Sequence, residues 1–244
     1  MRLDATGVLE AIGATTFDGR GRVIGRSSFE VETGDDGSRW MRVTMGTDDG
    51  GRNVSEAVLA PVAAGVAGDT AADAISLRIL EERSQSTTAD GRVFPLLVID
   101  HRAGRVSCYE GDPGASEGRH VEIPDDDRVV NVPMQLLFLP LVRGEVDSLR
   151  FQIATCGDGP VLHDMIAVRG STRVRGDRRI VEIEYGPDFG EALAWLASRL
   201  LPSFSFWFDA NDGTYLGHRM PLHRQGPEIT LVRQGLTPPE IGIE

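Results

Sequence analysis

Short apolar runs closed by Asp-Gly and Gly-Asp clusters recur along this chain, and that punctuation constrains the fold more than any other feature. Gly7 to Phe17 stops at Asp18-Gly19-Arg20-Gly21. Arg22 to Glu32 follows, with Val23, Gly25, Ser27, Phe29 and Val31 on one parity, and ends at Thr33-Gly34-Asp35-Asp36-Gly37. Trp40 to Met45 ends at Asp48-Asp49-Gly50-Gly51. Asp and Gly supply the positive φ that tight hairpin turns need, so each cluster reads as a reversal between antiparallel strands.

Ala57 to Ala72, rich in Ala, Gly and Val, reads as a short helix or a connection. Ile75 to Glu82 and Val93 to Asp100 read as strands, the apolar run Val93 to Ile99 as one buried on both faces. Further strands are expected at Val106 to Glu110, Leu149 to Thr155, Val161 to Arg169, and Thr172 to Val174 with Arg179 to Tyr185 around Gly176-Asp177. The last three are Phe204 to Asp209, Thr214 to Arg219 and Glu228 to Arg233. Helical signals are few. Pro133 to Leu141 fits a helix with Pro133 in its first turn. Asp188 to Leu201 has a capping box (Asp188, Glu191), an apolar stripe (Phe189, Leu193, Leu196, Leu200), and Pro202 as its stop.

These elements predict a mainly β protein. The expected architecture is a strongly curved antiparallel sheet, or half-barrel, of about ten to twelve strands wrapped on one or two helices, in a single domain over residues 1–244. A wide sheet curls, its apolar concave face needs cover, and a helix inside leaves a cavity beside itself. Phe204, Phe206 and Phe208 share one face of their strand and Trp207 takes the other.

Charge and composition narrow the partners. The net charge is −12, which disfavours nucleic acid and anionic membrane surfaces. All 25 basic residues are Arg, so a catalytic Schiff base, a P-loop lysine and a lysine general base are excluded. No run approaches the roughly 20 apolar residues of a spanning helix. Met1 to Gly7 lacks the form of a signal peptide. The expected location is therefore the cytoplasm, or the periplasm or cell envelope if a signal has been removed. Cys108 and Cys156, on separate expected strands, are compatible with a disulfide and with two buried thiols.

No metal or cofactor motif is present: no GxGxxG, phosphate loop, HExxH, calcium loop or nucleophile elbow. No catalytic residue is assigned. His218-Arg219 and Asp100-His101 are the candidate polar site, since His titrates near neutrality. The simpler alternatives are a solvated loop for the first pair and a turn cap by Asp100 for the second. His163-Asp164 and His120 are weighed the same way. Arg169, Arg173, Arg175, Arg178 and Arg179 form a local basic cluster, read as an exposed hairpin or an anion site.

The order of Pro133 to Leu141, the strand Leu149 to Ile153, Ser205-Phe206-Trp207-Phe208-Asp209 and Gly226-Pro227-Glu228-Ile229-Thr230-Leu231 resembles a bacterial family of unknown function. That family has a fold like the outer-membrane lipoprotein carriers LolA and LolB. The resemblance covers Val129 to Val232. It implies a half-barrel around helices with an apolar cavity for acyl chains, and no catalytic residues. The expected function is non-catalytic binding of an apolar, lipid-like ligand by Trp207, Phe206, Phe189, Leu193, Leu196 and Phe138. The alternatives are an enzyme using a His and a carboxylate in the same cavity, and an envelope subunit meeting a protein partner through an exposed sheet face.

Overall fold

The computed structural model describes residues 2–4, 11–62, 76–111, 113–114, 117–124, 128–190, 204–222 and 227–243. In the first half the strands are β1 (Arg2–Asp4), β2 (Ile12–Asp18), β3 (Val23–Thr33), β4 (Arg39–Gly46), β5 (Arg52–Pro61) and β6 (Ser76–Thr87). They continue with β7 (Leu96–Asp100), β8 (Arg105–Tyr109) and β9 (Arg119–Glu122). Two short helices follow, α1 (Met134–Leu137) and α2 (Leu139–Arg143). The second half holds β10 (Ser148–Cys156), β11 (Pro160–Arg175), β12 (Arg178–Pro187), β13 (Phe204–Asp209), β14 (Tyr215–Pro221), β15 (Glu228–Arg233) and a 3-10 turn at Pro238–Ile241.

All fifteen strands belong to one sheet, in the order β10-β11-β12-β13-β14-β15-β2-β3-β4-β5-β6-β7-β8-β9, with β1 on β6. Two meanders, β2 to β9 and β10 to β15, join where β15 pairs antiparallel with β2. The sheet curls until its ends meet, yet β9 and β10 share no ladder. A disulfide joins Cys108 of β8 to Cys156 of β10, with Cα atoms 5.8 Å apart. It resolves the alternative between a bridge and two thiols.

The concave face is one continuous core. Met41, Leu59 and Ile79 of the first meander share it with Phe151, Ile183 and Phe208 of the second and with Leu136, Phe138, Leu139 and Leu141 of the helices. The helices are buried almost all round, as a helix inside a curled sheet must be. Pro133 stands at the N-cap of α1, and Gly144 ends α2 in the left-handed region with φ 72°, where glycine has no Cβ penalty. A second cluster lies on the convex face. There Phe17, Ile180, Trp207, Leu216 and Val232 are covered by Ile241 and Ile243.

The sheet is as mainly β and as curved as expected, but it has more strands than ten to twelve. Strands β1, β5 and β9 have no counterpart in the expected set. Ala57 to Pro61 ends strand β5 and is neither helix nor connection; residues 63–72 lie outside the described residues. Arg119–Glu122 is a strand with polar residues on both faces, so no alternation marked it. Val93 to Ile99 is not buried on both faces: Leu97 and Ile99 point inward while Val93 is 57% exposed. In the other direction, Val161 to Arg169 and Thr172 to Val174 form one strand, β11, irregular between Arg169 and Thr172. The expected helix Asp188 to Leu201 falls beyond the described residues from position 191 onward, and Leu193 and Leu196 go with it.

Candidate functional site

A cavity of about 780 Å³ opens beside the helices on the concave face. One wall is aromatic: Tyr185 from β12, Phe204 and Phe206 from β13, and Tyr215 from β14. The rings support one another, with centroids 5.1 Å apart for Tyr185–Phe204 and 5.2 Å for Phe138–Phe206, both within the range of favourable ring pairs. Ile12, Phe29, Val43, Met45 and Leu231 continue the apolar lining. Pockets of this volume suit a single small molecule.

The opposite wall carries uncharged polar groups. β5 and β6 pair with Asn53 opposite Ser86 and Ser55 opposite Ser84, and all four line the cavity. Asn53 Nδ2 donates to Ser86 Oγ at 2.8 Å, Ser55 Oγ donates to Asn53 Oδ1 at 3.0 Å, and the Ser55 and Ser84 hydroxyls are 2.8 Å apart.

His218 of β14 also lines the cavity, stacked on Phe206 with centroids 4.9 Å apart. Its Nδ1 lies 2.6 Å from the Tyr215 hydroxyl, while its buried Nε2 has no hydrogen-bond partner among the described residues. Burial pushes the imidazole down to about 3, so the ring is neutral at physiological pH. Burial alone raises the Tyr215 phenol above its ordinary value, so the phenol keeps its proton.

The seam where the sheet ends meet closes the cavity on a third side. Residues 128–132 run parallel to β10: Gln152 N donates to Arg128 O and Val130 N donates to Gln152 O, both at 2.8 Å. Asn131 continues the pairing with its side chain, accepting from Ala154 N and donating to Ala154 O at 2.8 Å each. The exposed edge of β10 is thereby covered. From the other side, the buried Glu82 of β6 accepts Asn131 N–H at 2.8 Å and Val132 N–H at 2.5 Å, and His101 Nε2 lies 2.9 Å from its other oxygen. Desolvation is the largest influence on Glu82 and raises its carboxyl above the ordinary range, against the hydrogen bonds that lower it.

No protein-family model matches the chain, and no curated protein matches it. Among solved structures it is similar to a β-barrel-like protein of a domain of unknown function (DUF1849) from Brucella abortus. That match has 10% identity and a TM-score of 0.47, over 94% of this chain and 97% of that one. It is also similar to the hypothetical lipoprotein YmcC from Escherichia coli, at 8% identity and a TM-score of 0.35, over 96% and 90%. Neither is described as a lipoprotein carrier.

The expected site residues that the structure describes divide among five places. Phe206, Phe189 and His218 line the cavity. Phe138 is buried one layer behind it, against Phe206 and Phe151. Trp207 sits on the convex face under the C-terminal segment, away from the cavity, because strand alternation sends it opposite Phe206 and Phe208. Arg219 follows the same alternation away from His218, with its guanidinium 5.7 Å from the Trp207 ring. Asp100 caps its own turn, accepting Arg102 N–H at 3.0 Å and Ala103 N–H at 2.9 Å. His101 is sealed against Glu82, so His218 and His101 do not form one site. Arg173 of the basic cluster lies 3.9 Å from Glu182, and Arg175 and Arg178 pair across the exposed hairpin. Among the described residues no group of three or more His, Cys, Asp and Glu could hold a metal ion, and no helix is long and apolar enough to cross a membrane.

Sequence reading missed Tyr215, Glu82 and the Ser–Asn wall. A signal for the wall existed: Asn53 and Ser55 share the parity of the buried Ala57 and Leu59.

Proposed function

We propose that this protein binds an apolar, lipid-like molecule in the cavity of its curled sheet and performs no chemistry on it. The observation that carries the reading is the cavity itself, about 780 Å³ walled by Phe29, Met45, Tyr185, Phe204, Phe206 and Tyr215 in a core otherwise packed with apolar side chains. Packed interiors seldom keep such space without use. Each methylene moved from water into it gains about 0.8 kcal/mol, so a chain of ordinary acyl length binds without a covalent step. The enzyme alternative needs a histidine and a carboxylate in hydrogen bond inside the cavity. The histidine bonded to a carboxylate, His101, is at the seam, and His218 in the cavity is bonded to a phenol instead.

The test is a fluorescence titration with N-phenyl-1-naphthylamine, an uncharged apolar dye that brightens on leaving water. One saturable equivalent is expected, weakened at least tenfold by Ala14→Trp, which fills the cavity from β2. Absence of saturable binding, or unchanged affinity in a folded Ala14→Trp protein, overturns the reading.

A further inference from the structure

We infer that the cavity selects an uncharged amphiphile whose oxygen accepts a hydrogen bond from His218 Nε2–H, rather than a fatty-acid carboxylate. This rests on the binding reading above and narrows it to a ligand class.

The first observation is the bonding of His218. Its Nδ1 is 2.6 Å from the Tyr215 hydroxyl. If Nδ1 carried the proton and donated, two groups would go unmet, the phenol hydrogen and the Nε2 lone pair. If the phenol donates to Nδ1, one group is unmet, the Nε2–H. The second arrangement is the less costly, because each buried polar group without a partner costs about 1–3 kcal/mol. It leaves a donor without a partner among the described residues, on a side chain that lines the cavity. An ester, carbonyl or hydroxyl oxygen on the guest supplies the missing acceptor.

The second observation is charge. Among the described lining residues there is no arginine, and the chain contains no lysine. The ionisable groups there are Asp164, Asp188, His163 and His218, with His163 Nε2 2.8 Å from the Thr155 hydroxyl. Asp188 is paired with Arg150 at 2.7 Å, and Asp164 accepts from the Gln152 amide at 2.8 Å. An entering carboxylate would lose its hydration with no arginine or lysine in the described lining to receive it, which is expensive in an apolar site, and would meet Asp164 as a like charge. The remaining polar wall, Asn53, Ser55, Ser84 and Ser86, is uncharged and suits hydroxyl and ester groups.

The experiment displaces N-phenyl-1-naphthylamine at pH 8 with four compounds of one chain length: a monoacylglycerol, a methyl ester, a fatty-acid anion and an alkane. The two neutral oxygen-bearing compounds are expected to bind at least tenfold tighter than the anion and about fivefold tighter than the alkane. In His218→Phe the ester-to-alkane ratio is expected to fall toward one, while His218→Gln, which keeps an N–H, retains part of it. The ratio is internal to each protein, so a general loss of affinity does not disturb it. An anion that binds as tightly as the ester overturns the inference and leaves the binding reading standing, as does an ester-to-alkane ratio unchanged in a folded His218→Phe protein. Failure of the dye and all four compounds to bind removes both.

Discussion

Glu82 and His101 meet at 2.9 Å in the buried seam, and the same carboxyl group holds the backbone N–H groups of Asn131 and Val132. One side chain of β6 thus fastens the segment that covers the free edge of β10. Glu82→Ala leaves two buried N–H groups and a histidine without their partner, and is expected to lower the unfolding free energy by about 3–5 kcal/mol. In Glu82→Gln the amide oxygen still accepts from both N–H groups, so the loss is expected to be about 1 kcal/mol. Because burial raises the Glu82 carboxyl above 4.5, its contribution is complete below that pH and declines as pH rises through the folded value. The gap between wild type and Glu82→Gln should therefore narrow on going from pH 4.5 upward, as read by urea unfolding.

His218 has the opposite sign. Desolvation takes its folded value from 6.5 to about 3, so its contribution is present above pH 6.5 and is lost as pH falls through the window between the two. Within that window wild type is expected to lose up to about 1.4 kcal/mol per pH unit relative to His218→Phe. Urea midpoints for both proteins at pH 7 and pH 4.5 check this. Glu82 and the surface carboxylates are common to the two proteins and cancel in the difference. Parallel profiles would mean that the ring is solvated.

The disulfide spans 48 residues across the seam. Closing a loop of that length restricts the unfolded chain by about 4 kcal/mol. The double variant Cys108→Ser with Cys156→Ser is expected to lose about 2–4 kcal/mol by denaturant unfolding. Its far-ultraviolet circular dichroism should remain that of the native sheet, because residues 128–132 still cover β10.

Trp207 and Phe206 are adjacent in sequence and separate in consequence. Trp207→Ala removes a convex-face anchor under Ile241 and is expected to cost about 3–5 kcal/mol of stability without changing dye affinity in the folded protein. Phe206→Ala opens the cavity wall and is expected to change both. Equal effects of the two substitutions on dye binding would contradict the placement of the cavity on one side of β13.

The pattern that located β2, β3, β4 and the Gly176-Asp177 hairpin was local: apolar alternation, imperfect in β2, closed by residues that favour positive φ. The separation of Phe204, Phe206 and Phe208 from Trp207 was legible for the same reason. The polar cavity wall was obscured because Asn53, Ser55 and Ala57 are small or polar residues facing inward. Glu82 was obscured by the register shift between Val58 and Leu59 against β6. That shift moves the buried parity from Leu77 and Ile79 to Glu82, so a period of two carried along β6 puts Glu82 on the wrong face. The seam was legible only as the open possibility of a Cys108–Cys156 bridge. It joins Cys108 to Cys156 and Glu82 to Val132 over separations that no local pattern encodes.

The most direct measurement is a crystal structure of the protein with a terminally brominated long-chain alcohol, read by anomalous scattering. The expected result is a bromine peak inside the curled sheet against the apolar lining, with the alcohol oxygen at the other end of the chain within hydrogen-bond distance of His218 Nε2. A bromine peak confined to the outer surface, with the concave side filled by the protein's own side chains, would contradict it.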